Sequence, residues 1–286
     1  SALDVMAFAA AERAGFRVAS FDFNVVFMPR CVGISFSGIG WIGTTGSLIN
    51  LFGRDLDASV SHELGHNFGA NHASLMTGGS RGSKAWADSA NTWQEYANPH
   101  SVMGAGDIEV TQPDFAIEVK LVFDWFSESQ VAEVMPYAFS GAKMCKPFCG
   151  PFNVHPTDRG SFPTGATLGV QVSTSVANRY FFLEHRTKST SGNSVLVTWG
   201  DIKSSGRTGI TGNTVVADCT PSTSSFTDAG CRPNTRLELD TGTASSPRRV
   251  VVVIGALSSG GTLPVYVSTD LGFTLSPAPV PVPVAP

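Results

Sequence analysis

Residues 62–72 decide the fold of this chain, and from His62 to His72 they read HELGHNFGANH. Half of the 6 histidines in the 286 residues fall within this stretch. Residues four apart on an α-helix lie on one face about one turn apart, so His62 and His66 can direct their imidazoles at one metal ion. Glu63 is rotated from His62 by about 100°, from where its carboxylate can reach a water molecule beside the metal without replacing a ligand.

His72 can join the other two histidines only if the chain turns back. In a continuous helix it would lie about 9 Å further along the axis than His66 and roughly 120° around it, out of reach of the metal. Gly69 stands where such a helix has to end, and glycine adopts the left-handed conformation of a helix cap without a steric penalty. We therefore predict a helix through His66, a reversal at Gly69 and a third ligand at His72.

The same helix has an apolar residue at every fourth position, which predicts a stripe that packs against the core. The four residues are Leu56, Val60, Leu64 and Phe68. The alternative interpretation is an ordinary core or surface helix that happens to contain histidines. The five specified positions of the motif are expected by chance in about one chain per 100,000 of this length, so we favour the metal site.

The pattern H-E-x-x-H-x-x-G-x-x-H is the signature of the metzincin clan of zinc endopeptidases, and this chain resembles them. The segment Ser101-Val102-Met103-Gly104 resembles the methionine turn that lies beneath the metal in that clan. The resemblance implies a Zn²⁺ ion, a general base at Glu63 and an apolar floor at Met103. It implies three zinc ligands: His62, His66 and His72.

Within the clan, looser patterns make the chain most similar to the gametolysin family. They are Ala73 after the third histidine, the segment from Tyr96 to Gly104, and the run Tyr180–Arg186. Members of that family are secreted metalloproteases, known from green algae, that attack extracellular-matrix and cell-wall glycoproteins. The similarity implies a secreted, extracellular endopeptidase with a protein or glycoprotein substrate.

The expected chemistry is hydrolysis by a zinc-activated water, with Glu63 accepting its proton and delivering it to the departing amine. Several metzincins have a tyrosine two residues after the methionine that assists the transition state, but Ala105 occupies that position here. Tyr96 is the nearest upstream phenol that could serve in its place. The alternative interpretation, an ordinary packed or surface tyrosine, is the more common case. Two other functions stay open: a catalytically silent, zinc-stabilised protein that binds glycoprotein or polysaccharide, and an amidase that acts on cell-wall peptides.

Composition argues against two classes of partner. Charged residues make up 15% of the chain and the net charge is −4, and no basic cluster indicates a nucleic acid. The longest apolar run, Val250–Leu257, is much shorter than the roughly 18 residues that cross a bilayer, so membrane insertion is not expected. Because it starts at Ser1, the chain resembles a processed product or a trimmed piece.

The 5 cysteines suggest an oxidising compartment. Cys145 lies near Cys149 and Cys219 lies near Cys231, so two local disulfides with a free Cys31 are the simplest arrangement. Zinc binding by these cysteines is the alternative, but the chain has no C-x-x-C pair and the histidines already account for a metal.

The expected fold class is α+β. Residues 1–143 are predicted to form a metzincin-like catalytic domain with a mixed twisted sheet, the active-site helix and a C-terminal helix. Residues 144–275 are predicted to form a β-rich, sandwich-like domain, because short apolar runs recur at intervals of about ten residues. Residues 276–286 alternate proline with valine and alanine, which is typical of a linker or tail.

Several elements are predicted inside these regions. Residues 3–14 are predicted to be helical and residues 21–29 to be a strand. Residues 34–46 are predicted to form a sheet edge that binds extended substrate, or else a flexible glycine loop. Residues 74–100 show little periodicity and are predicted to be irregular. Pro113 is predicted to open a helix toward Trp125. The later strands are predicted at 166–172, 179–186, 194–199, 235–240, 248–255 and 263–268.

Glu184 and His185 face opposite ways in one of these strands and are assigned structural roles, as are His100 and His155.

Overall fold

The fold is α+β, as the sequence predicts, in a computed structural model that describes most of the chain. The described residues are 2–31, 33–50, 56–76, 93–105, 113–137, 144–188, 192–202, 210–220, 222, 223, 225, 227–243 and 245–275. The helices are α1 (Ala2–Arg13), α2 (Leu56–Asn67) and α3 (Ile117–Val122). The strands are β1 (Asn24–Met28), β2 (Gly38–Gly40), β3 (Gly46–Asn50), β4 (Ala73–Met76), β5 (Trp93–Gln94), β6 (Val131–Val134), β7 (Cys149–Val154), β8 (Gly169–Ser173), β9 (Arg179–Arg186), β10 (Ser194–Ile202), β11 (Ile210–Val216), β12 (Arg236–Asp240), β13 (Arg249–Ile254) and β14 (Leu263–Ser268).

A small sheet supports the helix that contains the histidine motif. Its order is β1-β3-β2, with β1 parallel and β2 antiparallel to β3. Helix α2 packs on β2 and β3. The predicted strand at 21–29 is confirmed as β1, and the predicted segment at 34–46 contains β2, which is an edge among the described strands.

Helix α2 does not bury the predicted apolar stripe. Leu56 is 41% exposed and Phe68 is 38% exposed, whereas Glu63, Gly65, His66 and Asn67 are buried. The polar face turns inward because Asn67 forms hydrogen bonds with the small sheet. Its side-chain amide donates to Gly46 O at 2.9 Å, and its oxygen accepts from Ser47 Oγ at 2.6 Å. Specific hydrogen bonds therefore override the hydrophobic pattern on this helix.

Two larger sheets enclose the main core. One has the order β5-β4-β11-β10-β9-β8-β6 and the other the order β12-β13-β14-β7. The largest buried cluster takes apolar side chains from both sheets, as in a sandwich. Each of the six strands predicted after residue 165 is present. The two sheets contain five further strands, which are β4, β5, β6, β7 and β11.

The seven-stranded sheet takes strands from both sides of the boundary predicted between residues 143 and 144. Strand β4 precedes that boundary, yet it pairs in parallel with β11, so that Ala73 lies opposite Thr214. The division into domains at 143, and the tail at 276–286, stay predictions. The segment 276–286, together with 77–92 and 106–112, lies outside the described residues.

Two local predictions are wrong. Helix α3 begins at Ile117 rather than at Pro113, because the preceding backbone is extended: Asp114 N donates to His100 O and Asp114 O accepts from Val102 N, both at 3.3 Å. Residues 74–100 are also not wholly irregular, since β4 is a fully buried strand.

The predicted disulfides are confirmed. Cys145 is bonded to Cys149 and Cys219 to Cys231, and Cys31 is an exposed free cysteine. Among the helices of the described ranges, none has the length and apolar character needed to cross a bilayer.

Candidate metal centre

The chain reversal after α2 is confirmed at Gly69. This residue has a φ of +106°, in the region that glycine enters at little cost. Ala70 N donates to Gly65 O and Gly69 N donates to His66 O, both at 2.9 Å. These two bonds define a Schellman cap, which ends the helix and turns the chain back toward its own last turn.

The reversal brings the three histidines together. The ring centroids of His62 and His66 are 4.8 Å apart, those of His66 and His72 are 4.8 Å apart, and those of His62 and His72 are 5.5 Å apart. One potential ligand atom from each residue lies within 4.8 Å of the other two. The cluster can therefore hold a metal ion.

The spacing of two of these nitrogens matches a tetrahedral ion. Nε2 of His66 lies 3.1 Å from Nε2 of His72. Two nitrogens at the usual zinc bond length of about 2.0 to 2.1 Å lie about 3.3 to 3.4 Å apart at a tetrahedral angle. A small adjustment of either ring gives ligand geometry.

Each imidazole is oriented by an oxygen on the side away from the cluster. Nδ1 of His62 lies 2.8 Å from Val102 O, and Nδ1 of His66 lies 2.8 Å from Ala70 O. Nδ1 of His72 lies 2.6 Å from Glu95 Oε1. Carbonyl and carboxylate oxygens only accept hydrogen bonds, so each Nδ1 donates its proton and each neutral ring keeps a lone pair on Nε2.

Burial keeps two of these imidazoles neutral. It lowers the pKa of His62 to about 4, against the opposing effect of the Val102 hydrogen bond. Burial likewise lowers the pKa of His66. Neutral imidazole is the form that binds a metal, so the surroundings of the two helical histidines favour the ligating state.

Glu63 lies one residue after His62 and lines the same cleft. It is only 7% exposed, and burial raises its pKa to about 7 although a hydrogen bond from the Gly40 backbone opposes the shift. A carboxyl with a pKa near neutrality can both accept and release a proton at physiological pH. Its position and its pKa therefore suit a general base.

Met103 lies directly beneath α2. It is fully buried, and a Cβ added to Gly65 would overlap its Sδ atom. The glycine between the two helical histidines thus leaves room for the methionine sulfur. Ala73 N donates to Met103 O at 2.7 Å, which ties the turn to the strand that follows His72.

Two residues beside the histidines were not assigned to the site from the sequence. Glu95 accepts the hydrogen bond from His72, and this bond is the main reason why the pKa of Glu95 is lowered. Tyr96 places its ring centroid 3.7 Å from that of His72, and it has a φ of +65°. A non-glycine residue in that conformation is uncommon and marks a constrained backbone. No spacing rule identifies Glu95, because its contact with His72 follows from the tertiary fold.

The remaining histidines that were assigned structural roles lie outside this cluster. His185 is buried in β9, with its ring nitrogens 3.2 Å from Val154 O and 3.2 Å from Asn193 Oδ1. Glu184 forms an ion pair with Arg186 at 2.9 Å. His100 is buried beside the methionine turn.

Comparisons of the chain with protein-family models, curated proteins and solved structures give no match. The resemblance to metzincins therefore rests on the residues of the motif and of the methionine turn alone.

Proposed function

We propose that this chain is a zinc-dependent endopeptidase. The observation that carries the proposal is the orientation of the three imidazoles. Each of them donates from Nδ1 to an oxygen, and each offers one ligand atom within 4.8 Å of the other two. An outer-shell acceptor on every ligand is the arrangement that metal-binding histidines show. Histidines that merely lie close together on a surface do not require such an acceptor on each ring.

The donor set favours zinc among the divalent metals. Three neutral imidazoles with no carboxylate or thiolate ligand are typical of sites that keep one position for water or substrate. When bound, zinc supplies Lewis acidity toward a water molecule and a peptide carbonyl. His62, His66 and His72 would hold it.

Glu63 is the proposed general base. Its buried carboxylate lies in the cleft with His62, and its raised pKa lets it accept a proton from water and transfer it to the departing amine. The neighbouring backbone leaves it little room, because a Cβ on Gly38 would lie 2.6 Å from Glu63 Cγ and 2.8 Å from Glu63 Cδ.

The cleft beside Glu63 suits an extended peptide. It has a volume of about 730 Å³, and Ser35–Gly38, His62, Tyr96 and Val102 lie along it. The segment Ser35–Gly38 leads into β2, an edge of the small sheet among the described strands. Main-chain hydrogen bonds to such an edge bind a peptide with little dependence on side chains.

The proposed setting is extracellular. The two disulfides persist in an oxidising compartment. Together with the gametolysin-like patterns, they support a secreted enzyme that acts on extracellular-matrix or cell-wall proteins. A protein or glycoprotein is the proposed substrate.

Digestion of casein with and without a zinc chelator tests the proposal. We expect fragments only when zinc is present. Glu63→Gln should retain zinc and lower turnover by at least about 100-fold, because the general base is lost. Glu133→Gln changes an exposed carboxylate on β6 and should digest casein at the rate of the unmodified protein.

Full activity of the Glu63→Gln variant would contradict the assignment of the base. A protein that binds zinc but yields no casein fragments would instead fit one of the two alternatives. Release of fragments from cell-wall peptides alone would identify the amidase, and retention of glycoprotein or polysaccharide without cleavage would identify the binding protein.

A further inference from the structure

The third ligand lacks the support that the first two have. His62 and His66 are held by the backbone of α2, whereas His72 lies beyond the helix cap, between Gly69 and β4. Its position depends on what fixes the strand that follows it. That strand pairs with β11, and Thr214 N donates to His72 O at 3.1 Å.

The orientation of the His72 ring also depends on β11. Glu95 Oε1, which accepts the hydrogen bond from His72 Nδ1, accepts a second one from Asn213 Nδ2 at 3.3 Å. The Glu95 side chain is 54% exposed, so without Asn213 its carboxylate has freedom to rotate into solvent. Asn213 and Glu95 lie 118 residues apart in the sequence.

The segment that contains Glu95 is anchored to the same sheet. Gln94 pairs with Leu75 of β4, and the ring of Trp93 lies edge-on to that of Trp199 on β10, with centroids 6.0 Å apart. The histidine, its acceptor and the donor to that acceptor are therefore all attached to neighbouring strands of one sheet.

We propose that β11 is a positioning element of the metal centre, with Asn213 holding Glu95 and the Thr214 backbone holding His72 where its Nε2 meets the other two ligands. This inference rests on the metal binding of the proposed function. It makes residues far beyond the histidine motif determinants of metal affinity. Asn213 acts through Glu95 and is a positioning residue, not a ligand.

Zinc affinity of the metal-depleted full chain, measured by competition with a chromogenic chelator, tests the inference. Glu95→Ala should weaken zinc binding by at least about tenfold, the lower end of the usual effect of losing an outer-shell partner. Asn213→Ala should weaken it about threefold, because one hydrogen bond to a partly exposed carboxylate is lost. Asn153→Ala, at an exposed position of β7, is the matched control and should not change the affinity.

Two further variants separate positioning from a general loss of structure. Asn213→Asp has the same shape but no amide donor, so it should bind zinc no more tightly than Asn213→Ala. Glu95→Gln keeps an oxygen acceptor for His72 and should bind more tightly than Glu95→Ala. Circular dichroism of the metal-free forms should show the same fold for every variant and for the control.

A double-mutant cycle decides whether Asn213 acts through Glu95. The Glu95→Ala/Asn213→Ala protein should bind zinc within about twofold of Glu95→Ala alone, since the second change then removes nothing further. Independent, multiplying losses would overturn the inference, as would an Asn213→Ala protein that binds as tightly as Asn153→Ala.

The outcomes for β11 and for catalysis are distinguishable. If the unmodified chain binds zinc with the predicted pattern but does not cleave casein, the positioning role stands and the endopeptidase proposal fails. If the unmodified chain does not bind zinc, both fail.

Discussion

Gly69 determines whether the third histidine can reach the other two. Its φ of +106° lies outside the conformations that residues with a Cβ readily adopt. The cap that it forms redirects the chain between His66 and His72. A residue with no side-chain chemistry of its own thereby brings His72 to the other two histidines.

Replacement of Gly69 by alanine should destabilise the protein by about 1 to 3 kcal/mol, the usual cost of a strained backbone conformation. Zinc affinity should fall as well, since relief of the strain moves His72. Urea unfolding and zinc competition measure the two effects.

The control for this change is Gly160→Ala. Gly160 has open space around the added Cβ and no left-handed φ, so its replacement should leave both quantities nearly unchanged. Unchanged stability and zinc affinity in Gly69→Ala would show that the reversal does not depend on glycine.

The histidines, Glu63 and Gly69 were predictable at the residue scale, because helix geometry and cap chemistry act within a few residues. Met103 was predicted only through the resemblance to metzincins. Glu95 was not predictable, and its partner Asn213 even less so. Their contacts with the site depend on strand pairing between segments that are distant in the sequence.

Strand β2 and helix α2 approach so closely that glycine is required at their contact. A Cβ on Gly38 would overlap the Glu63 side chain, and a Cβ on Gly40 would overlap the Glu63 backbone oxygen. The two glycines thus have different roles. Gly38 leaves room for the carboxylate, which can move, and Gly40 leaves room for the helix backbone, which cannot.

Gly38→Ala should therefore lower turnover with zinc affinity unchanged, since the three atoms nearest to the added methyl group all belong to the Glu63 side chain. We expect a loss of at least about tenfold, because misplacement of a catalytic group by about 1 Å is costly. Casein digestion and zinc competition on the same preparation measure it.

Gly33→Ala provides the comparison within the same segment, because a Cβ there meets nothing within 4 Å. Its turnover should match that of the unmodified protein. Equal turnover of the two variants would show that Glu63 does not act from the position it has beside β2.

The sequence predicted elements well where the pattern reflects burial in a sheet. Strands β8–β10 and β12–β14 follow their apolar runs. The sequence pattern gave a wrong prediction for α2, where hydrogen bonds from Asn67 bury a polar face. It was also wrong at Pro113, where pairing with the methionine turn keeps the chain extended. Both failures involve partners that a local pattern does not contain.

At the scale of the whole molecule, a set of buried and half-buried charges connects the methionine turn to the seven-stranded sheet. Arg186 of β9 donates to Glu184 at 2.9 Å and lies 3.7 Å from Asp114, which also pairs with Lys120. Asp114 in turn bonds to the backbone of Val102, whose oxygen orients His62. The sheet therefore supports the position of His62 as well as that of His72.

Glu118 borders this set and is fully buried, with a hydrogen bond from Thr198 Oγ1 at 2.9 Å. Burial, assisted by the nearby Glu184, raises its pKa from 4.5 to about 7. Because the folded state holds this proton more tightly, its contribution to stability is complete below pH 4.5 and declines as the pH rises to 7.

Glu118→Gln removes this titration. Between pH 5 and pH 8, the unmodified protein should therefore lose unfolding free energy that the variant does not lose. The expected loss relative to the variant is on the order of 1 to 3 kcal/mol. Urea unfolding of both metal-free proteins at the two pH values measures it. A difference that stays constant with pH would contradict the raised pKa.

The sequence by itself determined the histidine motif, its reversal, the two disulfides and the strands with clear apolar runs, because each depends on residue types at short separations. Only the tertiary structure decided which face of α2 is buried, which residues orient the imidazoles and that one sheet joins β4 to β11. Those features depend on hydrogen bonds between segments far apart in the chain, and local spacing holds no information about such partners.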